Sequence, residues 1–188
     1  MRYCSNALVI VDEAYIEFCP QNSSLDLLDR FEHLVILRTL SKAWAAAGLR
    51  CGTAIAAPEI IDLLRRIMAP YPLAVPVIDQ LQQLMEPQTA RQQPAMLERI
   101  LNNKQRLVDF LESLEIINNL WPGVANFVLI RLDNADDLLA HCARSGILLR
   151  GFSNEPLLRD CIRITVGSAE EIDVLMSVMS NWKTTGAL

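Results

Sequence analysis

The sequence predicts an α/β protein in which a mostly parallel sheet is followed by a small α+β domain. Two short apolar runs, Ala7 to Val11 and Leu34 to Leu37, are continuous rather than alternating, which is typical of parallel strands covered on both faces. Polar residues follow each run and would lie at the carboxyl ends of the strands, where open α/β sheets bind ligands. The last third of the chain shows the pattern strand, helix, strand, strand, helix, which favours an α+β domain closing over that sheet.

A third strand and two helices complete the first half of the chain. The third strand is predicted over Cys51 to Ala56. Pro58 stands in the favoured first position of a helix, and Pro70 ends that helix. A second helix is predicted over Val75 to Met85. The apolar positions of both helices follow helical spacing; they are Ile60, Ile61, Leu64, Ile67 and Met68 in the first and, in the second, Val77, Ile78, Leu81, Leu84 and Met85, which we expect to be buried.

The pattern breaks at Glu86-Pro87, so we predict a large-domain segment over residues 1–86 and a small domain over residues 87–188. Ser168 and Glu171 form a capping box that predicts the start of the last helix. The other elements predicted for the small domain are a long helix beginning at Pro94, a turn at Trp121-Pro122-Gly123, a strand over Asn126 to Leu132, a helix between Asn134 and Gly146, and strands over Ile147 to Arg150 and Cys161 to Val166.

Composition and charge exclude several classes of function. Basic residues number 17 and acidic residues 22, which gives a net charge of −5, and no basic stripe with interleaved aromatics is present, so we expect no nucleic-acid partner. No apolar run approaches the roughly 20 residues of a membrane span. The five cysteines show no metal or redox spacing and the two histidines are isolated. We therefore expect no metal site, and reduced thiols in a cytoplasmic protein.

Five short stretches distributed along the chain carry recognisable motifs. They are Val11 to Phe18, Leu37 to Ala43, Gly48 to Gly52, Ala69 to Leu73 and Arg163 to Gly167. In these stretches and in their order the chain resembles the fold-type I pyridoxal-phosphate aminotransferases, and within that family it is most similar to the histidinol-phosphate aminotransferases. The resemblance implies that the first domain is the C-terminal part of the large pyridoxal-phosphate-binding domain.

By this resemblance Lys42 is the catalytic residue, because its amine forms the Schiff base with the aldehyde of pyridoxal 5′-phosphate and later acts as a general base. Asp12 pairs with the pyridine nitrogen and keeps it protonated. Tyr15 donates its hydroxyl to the 3′-oxygen of the cofactor, and Ala14 lies against one face of its ring. Taken alone, such residues are a solvated amine, a helix cap and a packing tyrosine. Glu13 is interpreted as structural or solvated.

The resemblance also assigns residues to the phosphate and to the substrate. Ser41 and Arg50 are similar to the residues that bind the phosphate of the cofactor, for which a hydroxyl and a forked guanidinium are suited donors. Arg163 resembles the arginine that binds the anionic group of the substrate, and Arg150 is a second candidate. A solvated surface position explains Arg150 equally well.

The resemblance further implies that the chain corresponds to the C-terminal half of the family enzyme. The family's phosphate loop, the aromatic residue that stacks on the cofactor and an asparagine all precede the motif that contains Asp12, and only Met1 to Ala7 precede the first strand here. We expect a homodimer in the full-length form, and a fragment that is inactive and poorly soluble alone. A natural short homologue is the alternative.

The function implied by the resemblance is transamination in histidine biosynthesis. The small-molecule substrates would be histidinol phosphate, a phosphorylated amino alcohol, and the pair glutamate and 2-oxoglutarate. A phosphothreonine decarboxylase of the same superfamily is one alternative, and it would release carbon dioxide without forming a keto acid. The other alternative is a catalytically silent binding module. Such a module has no chemical need for the amine of Lys42, so the lysine argues against it.

Overall fold

The computed structural model describes residues 7–152 and 154–185, and the chain divides into two compact units, Met1–Ala95 and Met96–Leu188. The division lies beyond Glu86-Pro87, and the domain boundary predicted at that dipeptide stays a prediction. Each unit has its own sheet. In the described ranges, no helix combines the length and the apolar character that crossing a bilayer requires.

The first unit is built around a three-stranded sheet. Its elements are strands β1 (Val9–Asp12), β2 (Leu34–Thr39) and β3 (Gly52–Ala56) and helices α1 (Pro58–Ile67), α2 (Val75–Met85) and the short α3 (Pro87–Ala90). The strand order is β1-β2-β3; β1 pairs with β2 in parallel, and β3 pairs with β2 in antiparallel orientation. The three strands and the two longer helices confirm the elements predicted for this half, whereas α3 was not predicted.

Strand alternation gives the first sheet two different faces. Leu34 and Ile36 of β2 are fully buried on one face, whereas on the other Val35 is buried but Leu37 is 38% and Ile10 of β1 60% exposed. Asp12 is in register with Leu37 and is exposed as well. Glu13 follows directly and is buried. Two consecutive carboxylates are therefore divided between an exposed and a buried environment.

The apolar faces of the helices of the first unit are only partly covered. Neither α1 nor α2 contains a buried residue, and Ile67 is 81% exposed. The prediction that α2 buries its apolar stripe is wrong for the part of the chain that the structure describes. Ile78 and Met85 are 41% and 47% exposed, whereas Val77, Leu81 and Leu84 of the same stripe are half-buried.

The second unit is a four-stranded sheet with three helices on one face. Its elements are helices α4 (Gln93–Glu112), which begins before the division, α5 (Ala135–Arg144) and α6 (Ala169–Thr185), and strands β4 (Asn119–Trp121), β5 (Phe127–Arg131), β6 (Arg150–Gly151) and β7 (Cys161–Thr165). The strand order is β4-β5-β7-β6, and all neighbours are antiparallel. The fully buried side chains that join the sheet to the helices are Val128, Ile130, Ile162, Ile164, Leu107, Leu111, Leu138, Cys142, Ile172 and Met179. Burial raises the pKa of the Cys142 thiol, which suits a packing role.

Two strands of this unit differ from their predictions. The strand β4 was not predicted, because three residues are too few to show a period and the Pro122-Gly123 pair indicates a turn. The strand predicted over Ile147 to Arg150 is shorter in the structure and begins at Arg150, and Leu148 is 87% exposed. The remaining elements confirm a small α+β domain.

The capping box predicted for the last helix is present. The Ser168 N–H donates to Glu171 Oε2 at 2.8 Å, and the Glu171 N–H donates to Ser168 Oγ at 3.2 Å. A side chain on Gly167 would collide with the Glu171 carboxylate, so the box in its present geometry favours glycine at this position. Two backbone donors at the start of α6 are thereby satisfied.

A buried lysine joins α4 to the loop that precedes β5. Lys104 is 7% exposed, and its Nζ donates to the carbonyl oxygens of Gly123 at 2.9 Å and Ala125 at 2.7 Å. A buried ammonium is tolerated when its charge is met by such acceptors. The lysine thus fixes the turn at the edge of the sheet.

Replacing Lys104 by methionine is expected to lower the free energy of unfolding of the second unit by about 2–3 kcal/mol, because two buried carbonyl oxygens lose a charged donor. Amide hydrogen exchange of β5 and β7 measures this change. Gln105→Ala, at the exposed neighbouring position, is the control and should change stability by less than about 0.5 kcal/mol. Equal protection in both variants would contradict the role of the lysine.

Candidate active site

The carboxyl ends of β1 and β2 bring the predicted acid and the predicted amine to one edge of the first sheet. Asp12 is the last residue of β1, and the loop after Thr39 at the end of β2 leads to Lys42. The Nζ of Lys42 lies 5.2 Å from the centre of the Tyr15 ring, within the range of an attractive contact between a cation and an aromatic face. The amine is therefore placed beside the segment that begins at Asp12.

The carboxylate of Asp12 is held by the backbone that follows it. The Ala14 N–H donates to Asp12 Oδ1 at 2.9 Å, which is the bond of an Asx turn. Within the described residues no ion pair involves Asp12. Its exposed carboxylate thus keeps acceptor capacity for a ligand, and Ala14 lies next to it.

Ser41 and Arg50 lie near the two ends of the segment that connects β2 to β3. The Ser41 N–H donates to Thr39 Oγ1 at 3.1 Å, and the two hydroxyl oxygens are 2.9 Å apart. Thr39 Oγ1 also lies 3.3 Å from the carbonyl oxygen of Cys51. Arg50 has a left-handed backbone, with φ of 50°, and its Nη1 donates to the Ala47 carbonyl oxygen at 3.1 Å. The hydroxyl and the guanidinium are therefore presented by one connecting segment, near its two ends.

The donor set of this edge fits pyridoxal phosphate. An exposed carboxylate suits a protonated ring nitrogen, and a primary amine suits the aldehyde. A hydroxyl and a guanidinium suit phosphate oxygens. The structure places Lys42 against Tyr15 and binds the Ala14 N–H to Asp12, and Asp12, Ala14 and Tyr15 belong to one short segment.

The two arginines predicted to bind substrate are neighbours in the second unit. Arg150 of β6 is directly opposite Arg163 of β7. The guanidinium carbon of Arg163 lies 5.3 Å from the Phe127 ring, and that of Arg150 lies 5.9 Å from the Phe152 ring. The Nε of Arg163 is buried and has no hydrogen-bond partner among the residues that the structure describes. Like charges directly opposite each other destabilise a sheet, so the pair favours an anion between them.

These arginines line a cavity of about 690 Å³ in the second unit. Apolar side chains of the segment before β6 and of α6 form much of its wall. The cavity also contains Glu170 and Glu171. The Glu171 carboxylate is engaged in the capping box, and hydrogen bonds from the backbone and from Ser168 lower the pKa of Glu170. The cavity therefore has a cationic side and an acidic side.

Sequence reasoning did not identify the ion pair between Glu13 and Arg38. The Glu13 side chain is 3% exposed, and its Oε2 lies 2.9 Å from Arg38 Nη2. Glu13 is thus structural rather than solvated. The signal was available in the alternation of the strand, because a residue directly after exposed Asp12 points toward the covered face, where a carboxylate requires a partner.

Comparison with known proteins gives a consistent family. The model of the family "Aminotransferase class I and II" matches residues 2–179. A histidinol-phosphate aminotransferase of Pectobacterium carotovorum is 41% identical over 176 residues, which cover 94% of this chain and 49% of the relative. Histidinol-phosphate aminotransferase 1 of Haemophilus influenzae is 41% identical over 177 residues, covering 94% and 48%. The chain spans about half the length of the curated relatives it matches.

Solved structures share the fold. The histidinol-phosphate aminotransferase of Clostridium acetobutylicum has a TM-score of 0.85 at 22% identity, over 95% of this chain and 55% of that one. The enzyme of the same name from Sinorhizobium meliloti, in complex with pyridoxal-5′-phosphate, has a TM-score of 0.78 at 23% identity, over 92% and 48%. L-threonine-O-3-phosphate decarboxylase from Porphyromonas gingivalis has a TM-score of 0.78 at 18% identity, over 97% and 57%. The predicted fold class is confirmed.

Proposed function

The chain belongs to the class I and II aminotransferases, and we propose that it carries the catalytic lysine of a pyridoxal-phosphate-dependent histidinol-phosphate aminotransferase. The proposed reaction transfers the amino group of histidinol phosphate to 2-oxoglutarate and gives imidazole acetol phosphate and glutamate. The observation that carries the proposal is the position of Lys42 Nζ, 5.2 Å from the ring of Tyr15, which follows Asp12 by three residues. The names of relatives about 41% identical to it support the substrate.

We further propose that activity belongs to a polypeptide that combines this sequence with the half of the fold that it does not cover, hereafter the complete enzyme. The complete enzyme would be a homodimer, and this chain alone would be inactive and poorly soluble. Large apolar side chains that are exposed on α1 and α2 support this proposal, since contiguous exposed apolar surface marks contact sites or causes aggregation. The cytoplasmic location suggested by the cysteines stays a prediction.

When bound, pyridoxal phosphate supplies an electron sink for the substrate carbon that loses its proton. Asp12 would hold a proton on the ring nitrogen through its exposed carboxylate, and Tyr15 would donate its hydroxyl to the ring oxygen. Ser41 and Arg50 would bind the phosphate oxygens. The Nζ of Lys42 would first hold the cofactor aldehyde and then, once released, move the α-proton as a general base.

The two arginines of the second unit would suit two kinds of anionic substrate. Histidinol phosphate has a phosphate and no α-carboxylate, whereas glutamate has two carboxylates. A pair of guanidinium groups binds either kind of anion through forked donors. We assign this role to Arg163, with Arg150 opposite it.

The lysine assignment is tested by reductive trapping on the purified chain. The sequence contains three lysines, Lys42, Lys104 and Lys183. After incubation with pyridoxal phosphate, borohydride adds hydride to the C=N bond and fixes the pyridoxyl group on the lysine. Peptide mass spectrometry should place the label on Lys42 in preference to Lys183, and Lys104 should be protected by burial. Equal labelling of Lys42 and Lys183 would contradict the assignment.

The decarboxylase alternative uses the same cofactor residues, and product analysis of the complete enzyme separates it. Carbon dioxide released from phosphothreonine without a keto acid would favour decarboxylation. Formation of glutamate from 2-oxoglutarate and histidinol phosphate would favour the transaminase. A silent binding module would show neither product and no preference for Lys42 in trapping.

A further inference from the structure

We propose that Glu13 and Arg38 are positioning residues of the cofactor site. Their buried ion pair fixes the carboxyl ends of β1 and β2, and thereby the placement of Asp12 relative to Lys42. The inference rests on the proposed function, because it takes this site to bind pyridoxal phosphate. Whether the ion pair fixes the two strand ends is a separate physical question, and a separate measurement answers it.

The ion pair is part of a network in which both oxygens of the Glu13 carboxylate are engaged. Oε2 accepts hydrogen bonds from Arg38 Nε at 3.1 Å and Nη2 at 2.9 Å. Oε1 accepts from the Ser24 N–H at 2.5 Å and from Ser23 Oγ at 3.2 Å. Ser23 Oγ in turn accepts from Arg38 Nη2 at 3.0 Å. The carboxylate therefore joins the end of β1 to β2 and to the segment that contains Ser23 and Ser24.

The position of the network in the fold gives it a functional consequence. Glu13 directly follows Asp12, and Arg38 lies four residues before Lys42 on the neighbouring strand. In the described sheet β1 is an edge strand that pairs only with β2, over four residues. The Glu13 N–H also donates to the Leu37 carbonyl oxygen at 2.8 Å. The end of a short edge strand is thus held by a backbone bond and an ion pair at the residue next to the acid.

The chemistry of the ion pair suits it to fixing the relative position of two strand ends rather than to stabilising the fold in general. Two donors of the planar Arg38 guanidinium, Nε and Nη2, converge on Oε2 of Glu13, which fixes orientation as well as distance, and a lysine cannot reproduce that geometry. A buried pair is costly to break on one side only, because the remaining charge is left without a partner. The double variant removes both charges, so no unpaired charge remains buried in the sheet, but the end of β1 is no longer fixed to β2. A comparison of the single variants with the double variant therefore separates an effect on positioning from an effect on stability.

The test compares Glu13→Gln, Arg38→Met and the double variant in the trapping experiment on the whole chain. Each should lower the rate of pyridoxyl labelling at Lys42 relative to Lys183 by about 10- to 100-fold, because small displacements of reacting groups reduce rates to this extent. Reaction of the buried thiol Cys19 with a maleimide, measured in parallel, reports whether the first unit remains folded. Arg38→Lys should restore the rate only in part.

A matched control is the exposed ion pair between Arg65 and Asp62 on α1, whose side chains are 72% and 63% exposed. Arg65→Met removes an ion pair from the same unit and should leave labelling of Lys42 unchanged. Wild-type labelling in the folded double variant would overturn the proposal, even if that variant melts at a lower temperature. If the single variants unfold and the double variant does not, reduced labelling of Lys42 in the double variant supports the positioning role.

A second measurement keeps the inference independent of the proposed function. Hydrogen exchange of the Glu13 and Ala14 amides, which are bonded to Leu37 and Asp12, should accelerate at least about tenfold in the double variant, because local opening becomes easier. If the wild-type chain shows no preference for Lys42, the proposed function fails while this measurement still decides on the strand ends. Unchanged exchange at both amides would overturn the positioning role.

Discussion

Replacing Lys42 by alanine is expected to lower the turnover of the complete enzyme by about ten-thousand-fold or more, because one side chain supplies both covalent attachment and proton transfer. The fold should be unaffected, since the side chain of Lys42 is exposed and contacts the ring of Tyr15 with its terminal amine. The loss should appear in kcat, because the amine acts on the reacting carbon rather than in binding alone.

The experiment requires a complete enzyme, and a chimera provides one. The part of the Pectobacterium carotovorum relative that this chain does not cover can be joined to it. Lys42→Ala and Lys42→Arg should both be inactive, because a guanidinium does not attach to an aldehyde as an amine does. Lys183→Ala is the control and should retain activity. A Lys42→Ala chimera with turnover near that of the parent would refute the assignment.

Much of the fold could be predicted because local signals agree with the tertiary structure. The apolar runs that contain Val11 and Ile36 became neighbouring parallel strands, with polar residues at their ends. Ser168 and Glu171 are three residues apart, and the capping box that they form depends on nothing distant. Signals of this kind are confined to one element and survive whatever packs around it.

The burial of whole elements could not be predicted in the same way. The spacing of Leu81 and Ile78 on α2 shows which face is apolar, but not whether any segment covers that face. In the described part of the chain that face is only partly covered, and Ile78 is 41% exposed. The three-residue strand ending at Trp121 was missed for the opposite reason, since its existence depends on pairing with β5 rather than on its own pattern.

The candidate site shows the same division between local and distant information. Asp12, Tyr15 and Lys42 were identified by resemblance, and the structure adds that the last two are in contact. The pairing of Glu13 with Arg38 spans 25 positions, and no local pattern specifies which basic residue meets a buried acid. Residues that support a site from behind therefore require coordinates, even when the residues that face the ligand are evident from the sequence.

Replacing Arg163 by methionine is expected to lower kcat/KM of the complete enzyme for the phosphorylated substrate by about 100- to 1,000-fold, because the substrate anion loses a forked charged donor in a partly buried position. The effect should lie mainly in KM. Arg150→Met should cost less, about tenfold, since Arg150 is exposed. Steady-state kinetics and competition by inorganic phosphate measure both.

The Arg163→Met variant should not lose stability although it loses affinity for the substrate, and this difference distinguishes a binding role from a structural one. Methionine at position 163 removes one of two like charges that face each other across β6 and β7, so the second unit should be unchanged or stabilised by about 0.2–1 kcal/mol. The matched control is Arg131→Met on the same sheet, where Arg131 stacks on Trp121 at 5.4 Å and donates to the Leu157 carbonyl oxygen at 2.9 Å. That variant should lose stability and keep its affinity for phosphate. If Arg163→Met instead destabilised the unit and left phosphate competition unchanged, Arg163 would be a structural residue, and the cavity beside it would not be the anion site.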